Sequence, residues 1–296
     1  MIISRIASTL FVLLLAVTTN SHAFENKEKM PYGNNNQTGK MADINGIKIY
    51  YEVYGKGEPL LLIHGNGQNI SEMHNQIEYF AKKNKVIVVD SRGHGKSGLG
   101  EGRLTYLQMM EDYNSLLDTL QVKGAKIIGW SDGGIQALLL AIYHPDKVGK
   151  MALMGANLQP GPEAVSGWVY PLLKPLQETF DQMVESGDTS DDWNHHKQLI
   201  DLLFTQPNIS IESIRKINVP VLVMAGDKDI IRGVHTLEIF DNLPKAHLAI
   251  LPGQTHWAPA TDPETFNSLV DKFFSTPYTR PTSKEILTAA VSPPES

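Results

Sequence analysis

An α/β fold, with a mostly parallel sheet and helices on its faces, is what the sequence predicts, on three observations. Short apolar runs rich in β-branched residues recur along the chain, helix-period segments alternate with them, and the runs lack the polar-out alternation of a half-exposed strand. Such runs fit strands buried on both faces, and their alternation with helices implies crossover connections between parallel neighbours.

In order, the runs are Ile47–Val53, Leu60–His64, Val86–Asp90, Lys126–Trp130, Met151–Met154, Val219–Ala225 and His247–Leu251. Helical periodicity marks Ser71–Lys82, Leu104–Leu120, Gly134–Tyr143 and Pro263–Phe274. One junction stays open, because Ile47–Val53, Gly55, Gly57 and Leu60 also fit an antiparallel hairpin at a sheet edge. The alternation stops over residues 156–216, which hold Pro160-Gly161-Pro162, Trp168, Pro171, Pro175, Trp193 and the pair His195-His196. So long an interruption in a sheet domain reads as a helical lid over a site, with the two histidines on a solvated face. The core is then 41–155 plus 217–276. Residues 24–40, polar with an Asn run, read as a flexible lead-in, and 277–296 as a disordered tail.

Composition narrows the function. The 296 residues suit one large domain, and a net charge of -6 offers no basic footprint for nucleic acid. Cysteine is absent, which excludes disulfides, thiolate nucleophiles and Cys-ligated metals. At the N-terminus, Arg5 precedes the apolar stretch Ile6–Val17, and Ser21-His22-Ala23 supplies small residues where a signal peptidase reads them. That stretch is about 12 residues against the roughly 20 that span a bilayer. Residues 1–23 therefore read as a cleaved export signal, giving a periplasmic or secreted protein with no stable membrane span, with a retained membrane anchor as the alternative.

Gly129-Trp130-Ser131-Asp132-Gly133 places G-x-S-x-G between a strand run and a helix. A nucleophilic serine needs a sharp strand-to-helix turn, and small residues two positions either side let neighbouring backbone approach. With 24 glycines in the chain the pattern alone is weak; its position at a strand end makes it specific. A serine also needs a base. Of ten histidines, His256 lies on the loop between the last strand run and the last helix, whereas His64 reads as a turn organiser. The base needs an acid to hold its tautomer. Asp227 and Asp229 both leave the Val219–Ala225 run; Asp229 has the reach, and Asp227 suits the turn itself. For the oxyanion, the backbone N–H groups of Asp132 and of Asn66, after the Leu60–His64 run, are the expected donors. The segment Asp90–Ser97 approaches a phosphate loop but has Asp90 where its first glycine must stand.

Five motifs, Leu62–Gly67, Asp90–Ser97, Gly129–Gly134, Gly226–Asp229 and Gly253–His256, occur in the order found in α/β-hydrolases. Over about residues 44–274 the chain resembles that superfamily. The resemblance implies an eight-stranded sheet, a helical lid, a Ser131–Asp229–His256 triad and neither cofactor nor metal. Epoxide hydrolases and haloalkane dehalogenases carry an aspartate where Ser131 stands, so the chain departs from them. Gly129–Ile135 and Met154–Asn157 resemble the valacyclovir hydrolase branch, which cleaves α-amino-acid esters. There the residue after the nucleophile is an aspartate that receives the substrate ammonium, and Asp132 matches it. Asp132 reads equally as a carboxylate favoured by a helix N-terminus. The expectation is a serine esterase for small molecules, with same-fold perhydrolase, C–C bond hydrolase and acyltransferase chemistry, or a non-catalytic binding module, as alternatives. The pattern fixes no oligomeric state.

Overall fold

The computed structural model describes residues 30–291. The export signal expected at 1–23 lies outside them. Eight strands form one sheet: β1 Gly39–Ile44, β2 Ile47–Tyr54, β3 Glu58–Ile63, β4 Asn84–Val89, β5 Ala125–Trp130, β6 Val148–Met154, β7 Val221–Lys228 and β8 Ala246–Thr255. Their order across the sheet is β1-β2-β4-β3-β5-β6-β7-β8. The pairs β1–β2 and β2–β4 are antiparallel, and all later pairs are parallel. Helices cover both faces: α1 His74–Phe80, α2 Tyr106–Thr119, α3 Asp132–Tyr143, then α4 Val169–Glu185, α5 Trp193–Thr205 and α6 Ile211–Ile214 between β6 and β7. After β7 come α7 Gly233–Asn242, α8 Ala258–Thr261, α9 Pro263–Ser275 and α10 Ser283–Val291. Among the described residues no helix is long and apolar enough to cross a membrane.

Apolar alternation explains the layers. On β3, β4 and β5, Leu61, Ile87 and Ile127 pack toward one face with α2 and α3, and Leu60, Val86 and Ile128 toward the other with α1 and α9. Strands buried on both faces need apolar side chains at every position. The chain reverses its winding between β3 and β5, so the loops after these strands open a crevice at their carboxyl ends, where α/β sheets bind ligands.

Four expectations are corrected. First, β2 does not form a hairpin with β3; it pairs with β1 through the Asn45-Gly46 turn, whose φ angles of 46° and 81° match a two-residue hairpin. Second, the segment expected as a flexible lead-in is folded from residue 30. The buried Glu52 carboxylate accepts the backbone N–H groups of Gly33 (3.0 Å) and Asn35 (2.9 Å) and the hydroxyls of Tyr50 and Tyr54 (both 2.7 Å). Third, the tail folds back: Tyr278 stacks on His247 at 4.9 Å, and α10 follows where disorder was expected. Fourth, His195 and His196 are half-buried and partnered rather than fully solvated. His195 Nε2 bonds the Gly93 carbonyl, while His196 stacks on Phe180 and pairs with Asp191 at 3.3 Å.

Candidate active site

Ser131 stands between β5 and α3 with φ 56° and ψ -118°, a conformation that costs a non-glycine residue about 1–3 kcal/mol. The glycines around it supply space. A Cβ on Gly133 would lie 2.1 Å from the Ile63 carbonyl oxygen, and one on Gly129 2.4 Å from that of Gly133. The spacing thus lets α3 begin directly against the end of β3.

His256 follows β8, and its Nδ1 lies 2.7 Å from Asp229 Oδ1. Asp229 also accepts the backbone N–H groups of Ile231 (2.9 Å) and Gly226 (3.3 Å). Burial opposes its ionisation, but His256 and these donors outweigh burial and hold the carboxyl below its usual range. An acceptor at Nδ1 puts the proton there, leaving Nε2 of neutral His256 with a free lone pair. Asp227 instead accepts Gly253 N–H at 3.0 Å, which ties the carboxyl end of β7 to that of its parallel neighbour β8. Of the two aspartates, only Asp229 meets the histidine.

Two residues to which the sequence assigns no role position His256. The Trp130 indole donates to the His256 carbonyl at 2.8 Å. Gly155, at φ 63°, leaves room for the ring: a Cβ there would lie 2.5 Å from His256 Cε1 and 2.6 Å from Nδ1. We predict that Gly155→Ala displaces the imidazole and lowers kcat/KM for p-nitrophenyl acetate about 10²-fold, the scale of a 1 Å misplacement. Wild-type kinetics in this variant would mean that His256 tolerates the shift and plays no positioned role.

The backbone N–H groups of Asn66 and Asp132 have no acceptor among the described residues, as expected of a loop and of the first residue of a helix. Gly65 sits against Ser131, where a Cβ would meet Ser131 Cβ at 3.1 Å. His64 is the turn organiser expected. Its Nδ1 bonds the Gly65 carbonyl (2.8 Å), its Nε2 accepts Ser91 N–H (3.1 Å), and burial pushes it down to about 4. In the loop that failed as a phosphate site, Asp90 accepts the N–H groups of Ile70 (2.9 Å) and Lys96 (2.8 Å), so its own carboxylate occupies the anion position.

Asp132 is buried, accepts the Asn66 side-chain amide at 3.0 Å and faces the Tyr106 hydroxyl. Burial pushes its carboxyl up to about 6, against those two donors and His256. Sequence periodicity marks Tyr106 only as the start of a helix. Ser131, Asp132, His256 and Asn66 share the wall of a cleft of about 1050 Å³ counted out to solvent, roofed by Val169, Leu173 and Ile200 of α4 and α5.

The family model for the alpha/beta hydrolase fold matches residues 58–192. Serine hydrolase BPHL of Mus musculus is 28% identical over 258 residues, covering 80% of this chain and 86% of that protein. A 2-hydroxy-6-oxo-6-(2'-aminophenyl)hexa-2,4-dienoic acid hydrolase of Metapseudomonas resinovorans is 26% identical over 266 residues, 80% of this chain and 90% of that one. Among solved structures, the enol-lactonase from Burkholderia xenovorans LB400 superposes with a TM-score of 0.67 at 22% identity, over 80% of this chain and 100% of that one. With the sheet order and the turn at Ser131, these matches give the chain the alpha/beta hydrolase fold and support a hydrolase similar to the BPHL branch of that superfamily.

Proposed function

We propose that the chain is a serine esterase for small molecules, preferring esters whose acyl part carries an α-ammonium group. The observation that carries this reading is a buried carboxylate, Asp132, with only neutral hydrogen-bond donors, on the same cleft wall as Ser131 and His256. His256 Nε2 takes the Ser131 proton as Oγ attacks the acyl carbon. The N–H groups of Asn66 and Asp132 receive the oxyanion, and Asp229 stabilises the imidazolium. His256 then protonates the departing alcohol, and water, activated by the same base, releases the acid.

A cation is favoured beside Asp132 because a charge-assisted hydrogen bond in a desolvated site is strong, and because it offsets the cost of burying the carboxylate. The test is an ester panel with matched amino and deamino acyl groups, run on wild type and Asp132→Asn. The expected result is a kcat/KM loss of about 10-fold or more confined to amino esters, the scale of one charged hydrogen bond. Equal loss on both series would sink the ammonium reading. The sign with pH follows from the direction at Asp132: it is charged above about 6, so the amino preference fades as pH falls through 6. It fades again as the substrate amine loses its proton, near 7.7 for a free α-amino group. A bell-shaped ratio is the expected profile.

Carbon–carbon bond hydrolysis is the second reading, supported by the similarity to the dienoic acid hydrolase above. Including a vinylogous 1,5-diketone of that type in the panel separates the two.

A further inference from the structure

Both donors that hold Asp132 are themselves held by one helix of the lid. The Asn66 amide nitrogen donates to Asp132 Oδ2 and to the backbone carbonyl of Leu199 in α5, each at 3.0 Å. Tyr106, the second donor, has its backbone N–H accepted by Gln206 Oε1 at 3.2 Å, and Gln206 is the residue that closes α5. The same helix is tied to the loop ahead of α2: Gln198 Oε1 accepts Leu104 N–H at 2.7 Å, and Thr205 Oγ1 accepts from Arg103 at 3.0 Å. Asn66 and Leu199 are 133 positions apart, so only a docked α5 brings them together.

A buried carboxylate without donors takes up a proton and loses its aim, whereas each hydrogen bond to its charged form keeps it ionised and oriented. An amide that shares its two hydrogens between the carboxylate and a helix carbonyl fixes the distance between them. We infer that the Asn66 side chain, separately from its backbone N–H, is a positioning residue that sets acyl specificity by clamping Asp132 to lid helix α5. The cleft then recognises a cationic acyl group only when α5 is seated. This rests on the ammonium reading of Asp132.

The experiment compares L-valine p-nitrophenyl ester with p-nitrophenyl 3-methylbutanoate, its deamino counterpart, on the full-length protein. Wild type, Asn66→Leu, Tyr106→Phe and Asp132→Asn are assayed from pH 5 to 8. The readout is the ratio of kcat/KM values, whatever happens to either ester alone. Asn66→Leu is expected to lower the ratio at least fivefold, chiefly through KM for the amino ester. It should also move the acidic limb of the ratio to higher pH, because Asp132 loses a donor. The titratable groups facing that carboxylate are Tyr106 from α2 and His256 from the β8 loop. Tyr106→Phe should shift the limb in the same direction. An unchanged ratio in Asn66→Leu overturns the inference, including the case where both esters slow together through the oxyanion loop. If Asn66→Leu does not fold, Asn66→Ser, too short to span both acceptors, is read by the same criterion. Loss of the ratio in Asp132→Asn but not in the Asn66 variants refutes the clamp alone. Absence of any ratio in wild type refutes the ammonium reading beneath it.

Discussion

Ser131→Ala is expected to lower kcat for p-nitrophenyl acetate by roughly 10⁵- to 10⁶-fold and to abolish covalent labelling by a fluorophosphonate, while circular dichroism stays that of wild type. The magnitude is that of removing a nucleophile from a unit whose members act together. Alanine at the elbow keeps the backbone turn, since the glycines that give α3 room are untouched. The residual rate would come from the oxyanion donors and binding, which remain in place. Turnover within tenfold of wild type would remove Ser131 from the reaction and would favour a binding module on this fold. Labelling adds an independent readout, because a phosphonylated serine reports nucleophilicity without requiring that the right ester be found.

The largest expected effect on stability lies outside the cleft. Arg92 and Asp112 are 5% and 3% exposed and form a bidentate pair, with Nε to Oδ2 at 2.6 Å and the second guanidinium nitrogen to Oδ1 at 2.8 Å. Arg92 also donates to the Leu99 and Asn45 carbonyls, and Asn45 donates its side-chain amide to Asp112 at 2.9 Å. The pair therefore ties the β1–β2 turn, the loop after β4 and α2 to one another. Asp112→Ala leaves a buried guanidinium without its counter-charge, which costs about 3–5 kcal/mol. Urea unfolding at neutral pH measures it as a lower midpoint with an unchanged slope. Arg92→Met combined with Asp112→Leu should cost less than Asp112→Ala alone, because no charge is stranded. A single-variant loss below about 1 kcal/mol would mean that water reaches the pair and screens it.

Much of the scaffold was legible in the sequence because its signals are local. Strands buried on both faces appear as continuous apolar runs, and seven of the eight were marked within a few residues. The strand that was not marked, β1, buries only Ala42 and Ile44, too few for a run, although Asn45-Gly46 announces the turn after it. Ser131 was legible for the same reason. The sharp turn and the close approach of Ile63 impose glycines at fixed offsets, so the backbone geometry leaves a trace in the composition. His256 could be selected because strand order restricts which loops reach the carboxyl ends of the sheet.

The charge environment left no such trace. Asp132 follows the serine in any reading, but whether it caps a helix in water or faces a desolvated cleft depends on α4 and α5 closing over it. Asn66 was expected to contribute its backbone alone; the second role of its side chain requires Leu199, from a segment with no motif. Gly155 entered the sequence reading only as part of Met154–Asn157, and its purpose is visible once His256 occupies the space above it. Asp229 was preferred to Asp227 on reach alone; the contact of each, with His256 and with Gly253, appears only in the register of β7 against β8. The sequence by itself marked seven of the eight strands and the strand-to-helix turn that carries Ser131, since hydrophobic period and backbone strain act between near neighbours. Tertiary structure alone decided what surrounds the Asp132 carboxylate, because burial and hydrogen bonding there join residues from four separate stretches of chain.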